Sequence, residues 1–191
     1  KYMSNRLFQS VIQQMKDAIE RVIGVIDENG EIVSCRKATG AAPSTVFSIP
    51  SSVGERTVTG IKEGALGTAE DADSVIKTMT ELIVPDGCEI ANLGDNVFKG
   101  APALEKVTLG DSVQTIGMST FANCGELESV QIGSGVTAIG ASAFENCDDL
   151  IEISFDNPAG GAASFPLANI GESAFSTKSP ELTIYGLIDG S

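Results

Sequence analysis

A chain of 191 residues, 42% of them apolar, is long enough to bury a core in one or two domains and too apolar for disorder. Its formal charge is −14 and residues 1–40 are close to neutral, so the later residues form an acidic surface that repels phosphate backbones and anionic headgroups; nucleic acid is not an expected partner. The chain has no histidine, which removes Ser-His and Cys-His nucleophiles and most zinc chemistry, and its four cysteines are too few for a disulfide scaffold.

In chain order, Lys1 to Arg6 hold no apolar signal core, so no export leader is legible, and no run of about 18 apolar residues offers a membrane span. Residues 5–22 have the period of an amphipathic helix. Phe8, Val11, Ile12, Met15, Ile19 and Val22 share one face, with Ser4 as N-cap and Gly24 as stop. Such a helix packs on the body, or else stands free as a short coiled coil that supports a weak dimer or as a membrane-surface helix. Next, Ile23–Ile26 and Glu31–Ser34 flank Asp27-Glu28-Asn29-Gly30, and Asn-Gly between two β-rich runs signals a hairpin. Its acidic tip lacks the spacing of a calcium loop and reads as a solvated turn.

From Val46 one pattern recurs. Leu93-Gly94, Ile116-Gly117, Ile139-Gly140 and Ile170-Gly171 stand five residues before Phe98, Phe121, Phe144 and Phe175, and Ile61 stands five before Leu66. The central phenylalanines are 23 residues apart, and the last interval is 31 because it holds the loop-like Asn157-Pro158-Ala159-Gly160-Gly161. A fixed period in the twenties marks a solenoid, here five coils of about 23 residues. Each coil supplies a strand, such as Val107 to Leu109, with alternate residues inward, then a polar corner and a return bearing Ile or Leu and Phe. Leu66, Phe98, Phe121, Phe144 and Phe175 are the expected core column. Gly94, Gly117, Gly140 and Gly171 mark a corner where positive φ is the expected demand, and coil one has Lys62 there. Gly67–Thr78 forms an acidic insertion, and residues 156–167 form a second one. The expected architecture is a β-rich solenoid with a parallel sheet on one face. Residues 1–43 form a helix-and-hairpin cap, and 44–191 form the repeats.

Two resemblances accompany this pattern. The units L-x-x-V-T-L-G-D-S-V-Q-T-I-G-x-x-x-F-A-N-C and L-x-x-V-Q-I-G-S-G-V-T-A-I-G-A-S-A-F-E-N-C, with the ending Leu182-Thr183-Ile184-Tyr185-Gly186, closely resemble the BspA-like leucine-rich repeat over about residues 44–187. That resemblance implies a parallel-sheet solenoid of the kind common in cell-surface or secreted proteins that bind host or matrix molecules. It implies no catalytic residue. It also favours stacked, reduced thiols at Cys124 and Cys147, which share one coil position and whose stacking distance would also permit a bridge. Residues 1–35 resemble the opening of bacterial sugar-diacid recognition regulators, which would make that segment a remnant of a small-molecule sensor. No helix-turn-helix follows it.

Catalytic chemistry finds little support. The carboxylate pairs Asp148-Asp149 and Glu126 with Glu128 lie at corners and strand edges, and no phosphate loop, cofactor motif or metal-ligand set appears. What remains is recognition. The outward strand positions Lys106, Thr108, Ser129, Gln131, Glu152 and Ser154 line one face, open to a protein or glycan ligand. With no ligand there, the repeats are a structural spacer or oligomerisation module. Localisation stays open between the cell surface or secretion and the cytoplasm.

Overall fold

The computed structural model describes residues 22–37, 45–53, 55–68, 70–71, 74–156 and 169–185. Residues 5–21 of the expected helix lie outside these, and Val22 belongs to the first strand, β1 (Val22–Ile26). This strand pairs antiparallel with β2 (Glu31–Lys37), as the Asn-Gly signal predicts. Gly30 takes φ 86°, and the Asp27 carboxylate accepts the backbone N–H groups of Asn29 and Glu31, so the side chain closes the turn.

Coil one follows with β3 (Val46–Ser48), the two-residue pair β4 (Ser52–Val53) and β5 (Arg56–Thr57), and β6 (Gly60–Ile61). β6 runs parallel to β2, so the hairpin occupies the position of a preceding coil. Lys62, at the irregular corner, reaches back to Asp27 at 2.7 Å and Glu31 at 3.4 Å. The hydrogen bond from Lys62 is the main reason the Asp27 carboxyl sits below its ordinary pKa. This tie is therefore present above the ordinary carboxylate range and fades as pH falls through the lowered value.

The remaining long strands are β7 (Glu81–Val84), β9 (Lys106–Leu109), β11 (Ser129–Ile132), β13 (Glu152–Phe155) and β15 (Thr183–Tyr185). They alternate with the two-residue strands β8 (Asn92–Leu93), β10 (Thr115–Ile116), β12 (Ala138–Ile139) and β14 (Asn169–Ile170). β3 and the long strands form one parallel sheet in chain order, and the short strands from β8 onward form a second. Among the described residues there is no helix.

Between the sheets, like stacks on like. Phe98, Phe121, Phe144 and Phe175 form one column with ring centroids 5.2, 5.3 and 5.6 Å apart and planes within 10° of parallel. Phe98, Phe121 and Phe144 are fully buried, Phe175 packs against the same core, and Leu66 is buried at the coil-one position. Burial of each ring is worth about 1.5–3 kcal/mol, and each stacked pair adds about 0.5–1.5 kcal/mol.

The corner glycines differ from expectation. Gly94, Gly117, Gly140 and Gly171 do not have positive φ; the left-handed residues stand two further on, at Asn96, Ser119, Ser142 and Ser173. Glycine is needed at the corner because the coils touch there. A Cβ on Gly117 would meet the Leu93 carbonyl at 2.7 Å, and one on Gly140 would meet the Gly117 backbone at 2.6 Å. Gly94 lies over coil one, where a Cβ would be 3.4 Å from the Ile61 carbonyl oxygen, with Val97 Cγ2 of its own coil at 3.3 Å. The acidic insertion is also more apolar in effect than its composition suggests. Val75 and Ile76 are buried in the core, as is Met79 directly after the insertion, and the Ser74 hydroxyl donates to the Leu66 carbonyl at 3.0 Å.

Two alanine substitutions separate close approach from backbone conformation. Gly140→Ala should cost about 1–3 kcal/mol in urea unfolding, as overpacking does. Gly94→Ala should stay within about 0.5 kcal/mol of the parent. Equal losses at the two sites would contradict the close-approach reading.

Candidate binding surface

Strand register brings all six predicted face residues together. Lys106, Ser129 and Glu152 are direct neighbours across β9, β11 and β13, as are Thr108, Gln131 and Ser154. The two columns run side by side because alternate residues of a strand share a face. Their neighbours Val107, Leu109, Val130, Ile132, Ile153 and Phe155 point inward and are buried. Lys106, Gln131 and Glu152 are exposed, while Thr108, Ser129 and Ser154 are half-buried between their neighbours.

Two of these side chains have partners. Lys106 Nζ lies 3.4 Å from Glu81 Oε1, and Gln131 Nε2 donates to both carboxylate oxygens of Asp156 at 3.1 Å. The columns extend beyond the predicted residues, to Val46 and Glu81 at one end and to Thr183 and Tyr185 at the other. Val46 and Tyr185 are exposed apolar or aromatic side chains, so the face has a polar centre and apolar ends. Sequence reasoning missed these extensions, although Val46 and Tyr185 fall in the same alternation.

Behind the face, Cys124 and Cys147 stack as free thiols. Cys124 Sγ donates to the Phe98 carbonyl at 3.3 Å and Cys147 Sγ to the Phe121 carbonyl at 3.1 Å. Hydrogen bonding with Cys147, followed by burial, holds the Cys124 thiol well above the usual range. Cys88 is buried, as are Val113 and Val136, and Cys35 is buried on β2 of the hairpin. Nucleophilic use of Cys124 is therefore disfavoured, since the thiolate is the reactive form.

The two parallel sheets, the stacked phenylalanines and the repeated Leu-x-x-Val/Ile strands together define a leucine-rich repeat solenoid. Residues 75–185 match the BspA type leucine rich repeat region in six copies, and the chain belongs to that family. The match begins at the buried Val75. Among solved structures, the pneumococcal vaccine antigen PcpA is similar in fold at a TM-score of 0.53 and 18% identity, over 83% of this chain and 46% of its own. The chain thus spans less than half of that antigen. A leucine-rich repeat protein from Bacteroides capillosus shares 22% identity at a TM-score of 0.48, over 88% of this chain and 96% of its own. A leucine rich cell surface protein from Faecalibacterium prausnitzii shares 18% identity at 0.46, over 87% and 53%. No curated protein matches the chain. The comparisons lend no support to the sugar-diacid resemblance of residues 1–35. No helix among the described residues is long and apolar enough to cross a membrane.

The thiol arrangement predicts slow chemistry. At pH 8 iodoacetamide should leave Cys124 and Cys147 unmodified in the folded chain and label both in urea, read by intact mass. Rapid labelling under native conditions would contradict their burial.

Proposed function

We propose that this chain is a non-catalytic binding module whose protein or glycan partner meets the sheet face at Lys106, Thr108, Ser129, Gln131, Glu152 and Ser154. One observation carries the reading: three consecutive strands hold these side chains in two parallel columns set by backbone register. Such a surface is rigid before binding, so little ordering entropy opposes association. The exposed Tyr185 and Val46 would supply apolar contact at its ends. In this reading residues 1–43 cap the repeats of 44–191, because β2 covers the sheet end that β6 would otherwise expose.

The spacer reading has an observation in its favour. Lys106 and Gln131 already bond to Glu81 and Asp156, so part of the face is satisfied without a ligand.

A binding screen of the full chain against host-surface proteins and glycans, followed by the triple change Thr108→Arg, Gln131→Arg and Ser154→Arg, separates the two. On the binding reading, the triple variant loses the partner while its stability stays within about 0.5 kcal/mol of the parent, as expected of surface substitutions. Association of a basic partner should also weaken from low to physiological salt. A partner whose affinity survives the triple change lies elsewhere on the molecule.

A further inference from the structure

Beside the face, at the edge where the long strands begin, lies a groove of about 350 Å³. Ile151, which is 48% exposed, lines it together with Ser179 and Pro180. Glu128, Asp148, Asp149 and Glu181 complete the lining. Coil-to-coil backbone bonds hold this shape. The Glu128 carbonyl accepts Ile151 N–H at 3.0 Å, the Gly125 carbonyl accepts Asp149 N–H at 3.2 Å, and Thr183 N–H donates to the Ile151 carbonyl at 2.9 Å. The groove is therefore preformed.

Its negative charge is only partly compensated. Lys178 Nζ lies 3.1 Å from Asp148 Oδ2, but its side chain is 78% exposed, so the pair is solvent-screened. Among the described residues no cation pairs with Glu128, Asp149 or Glu181. Ile151 directly precedes β13, where the two preceding coils have Glu105 before β9 and Glu128 before β11. The chain thus puts an aliphatic side chain in water at a position where the two preceding coils carry a charge.

A groove of this size is at the small end for ligand sites, which run about 300–1,000 Å³, and suits one or two side chains. No group of three or more carboxylates among the described residues is disposed to hold a metal ion. A second copy is opposed by like charge, since each chain carries −14. A lysine or arginine meets both demands, because its methylene stem covers apolar surface while its head stays with anions. We propose that the groove docks a basic segment of a partner protein. An Arg or Lys stem lies on Ile151 and Pro180, and its charge is held among Glu128, Asp149 and Glu181. This inference rests on the binding-module reading and deepens it by naming the partner's chemistry.

The test uses the full chain and a fluorescein-labelled peptide of Gly, Ser and one Arg-Leu-Arg core, titrated by anisotropy at low salt. The combined change Glu128→Gln, Asp149→Asn and Glu181→Gln should weaken binding tenfold or more, about 1.4 kcal/mol. Ile151→Ser, which leaves every charge in place, should weaken it several-fold. A control neutralising Glu55, Glu63 and Glu89 to Gln should change it far less. Equal losses in the control and the groove variant would overturn the proposal by reducing the attraction to net charge. So would absence of peptide binding, or indifference to Ile151→Ser. If Thr108→Ala, Gln131→Ala and Ser154→Ala together remove the peptide while the groove variants keep it, the groove proposal fails and the face reading stands. Peptide lost only in the groove variants supports the groove, even if the face arginines later prove harmless to another partner.

Discussion

Vertical register governs this structure: each residue must stack on the residue one coil earlier. Backbone bonds enforce it. The N–H groups of Asn96, Phe98 and Gly100 donate to Met118, Thr120 and Ala122, and those of Ser119, Phe121 and Asn123 donate to Ala141, Ala143 and Glu145. With every second N–H directed to the next coil, a phenylalanine can have only a phenylalanine above it, and the ring separations follow. The left-handed residues at Ser119, Asn123, Ser142 and Asn146 turn the chain so that those bonds can form. Asn146 Nδ2 also donates to Asn123 Oδ1 at 3.0 Å, which repeats the register in side chains.

The same constraint explains what the sequence shows and what it hides. The 23-residue period, the inward column and the outward columns were legible because stacking converts a sequence interval into a position in space. The hairpin was legible from Asn29-Gly30. The corner glycines were legible as a pattern but not in cause, because a missing Cβ serves both positive φ and close approach, and only Gly117 over Leu93 and Gly94 shows which applies. Ser119 and Ser142 give no comparable signal, since serine is an ordinary surface residue. Within the insertion, acidic composition masked Val75 and Ile76, whose burial depends on contacts distant in sequence. At the candidate site the columns were readable. The partners Glu81 and Asp156 were not, because they depend on side-chain reach between coils. Ile151 carried a sequence signal, in that it replaces the glutamate of the two preceding units.

Stacking also sets the surface chemistry. A column of like positions places like side chains about 4.8 Å apart, so repeated charges repel and repeated amides or hydroxyls bond. Asp111 shows how backbone bonds work in such a column: its carboxylate accepts the N–H and hydroxyl of Ser134, one coil on, at 2.8 Å each, and its own N–H donates to the carboxylate of Asp86, one coil earlier, at 3.1 Å. Thr115 and Asn92 likewise bond across one coil step. The groove around Ile151 departs from this economy, with carboxylates gathered round an exposed aliphatic side chain and little positive charge to answer them.

Excision of one coil tests the dependence on register most directly. Removing residues 111–133 takes out 23 residues and joins Gly110 to Ser134, which brings Phe98 beneath Phe144. Removing residues 112–133 takes out 22 and shifts every later residue by one. Urea unfolding of the two chains should show a cooperative transition with a reduced m-value for the first, as less surface is buried, and no cooperative transition for the second. Equal behaviour of the two deletions, folded or unfolded, would contradict the account.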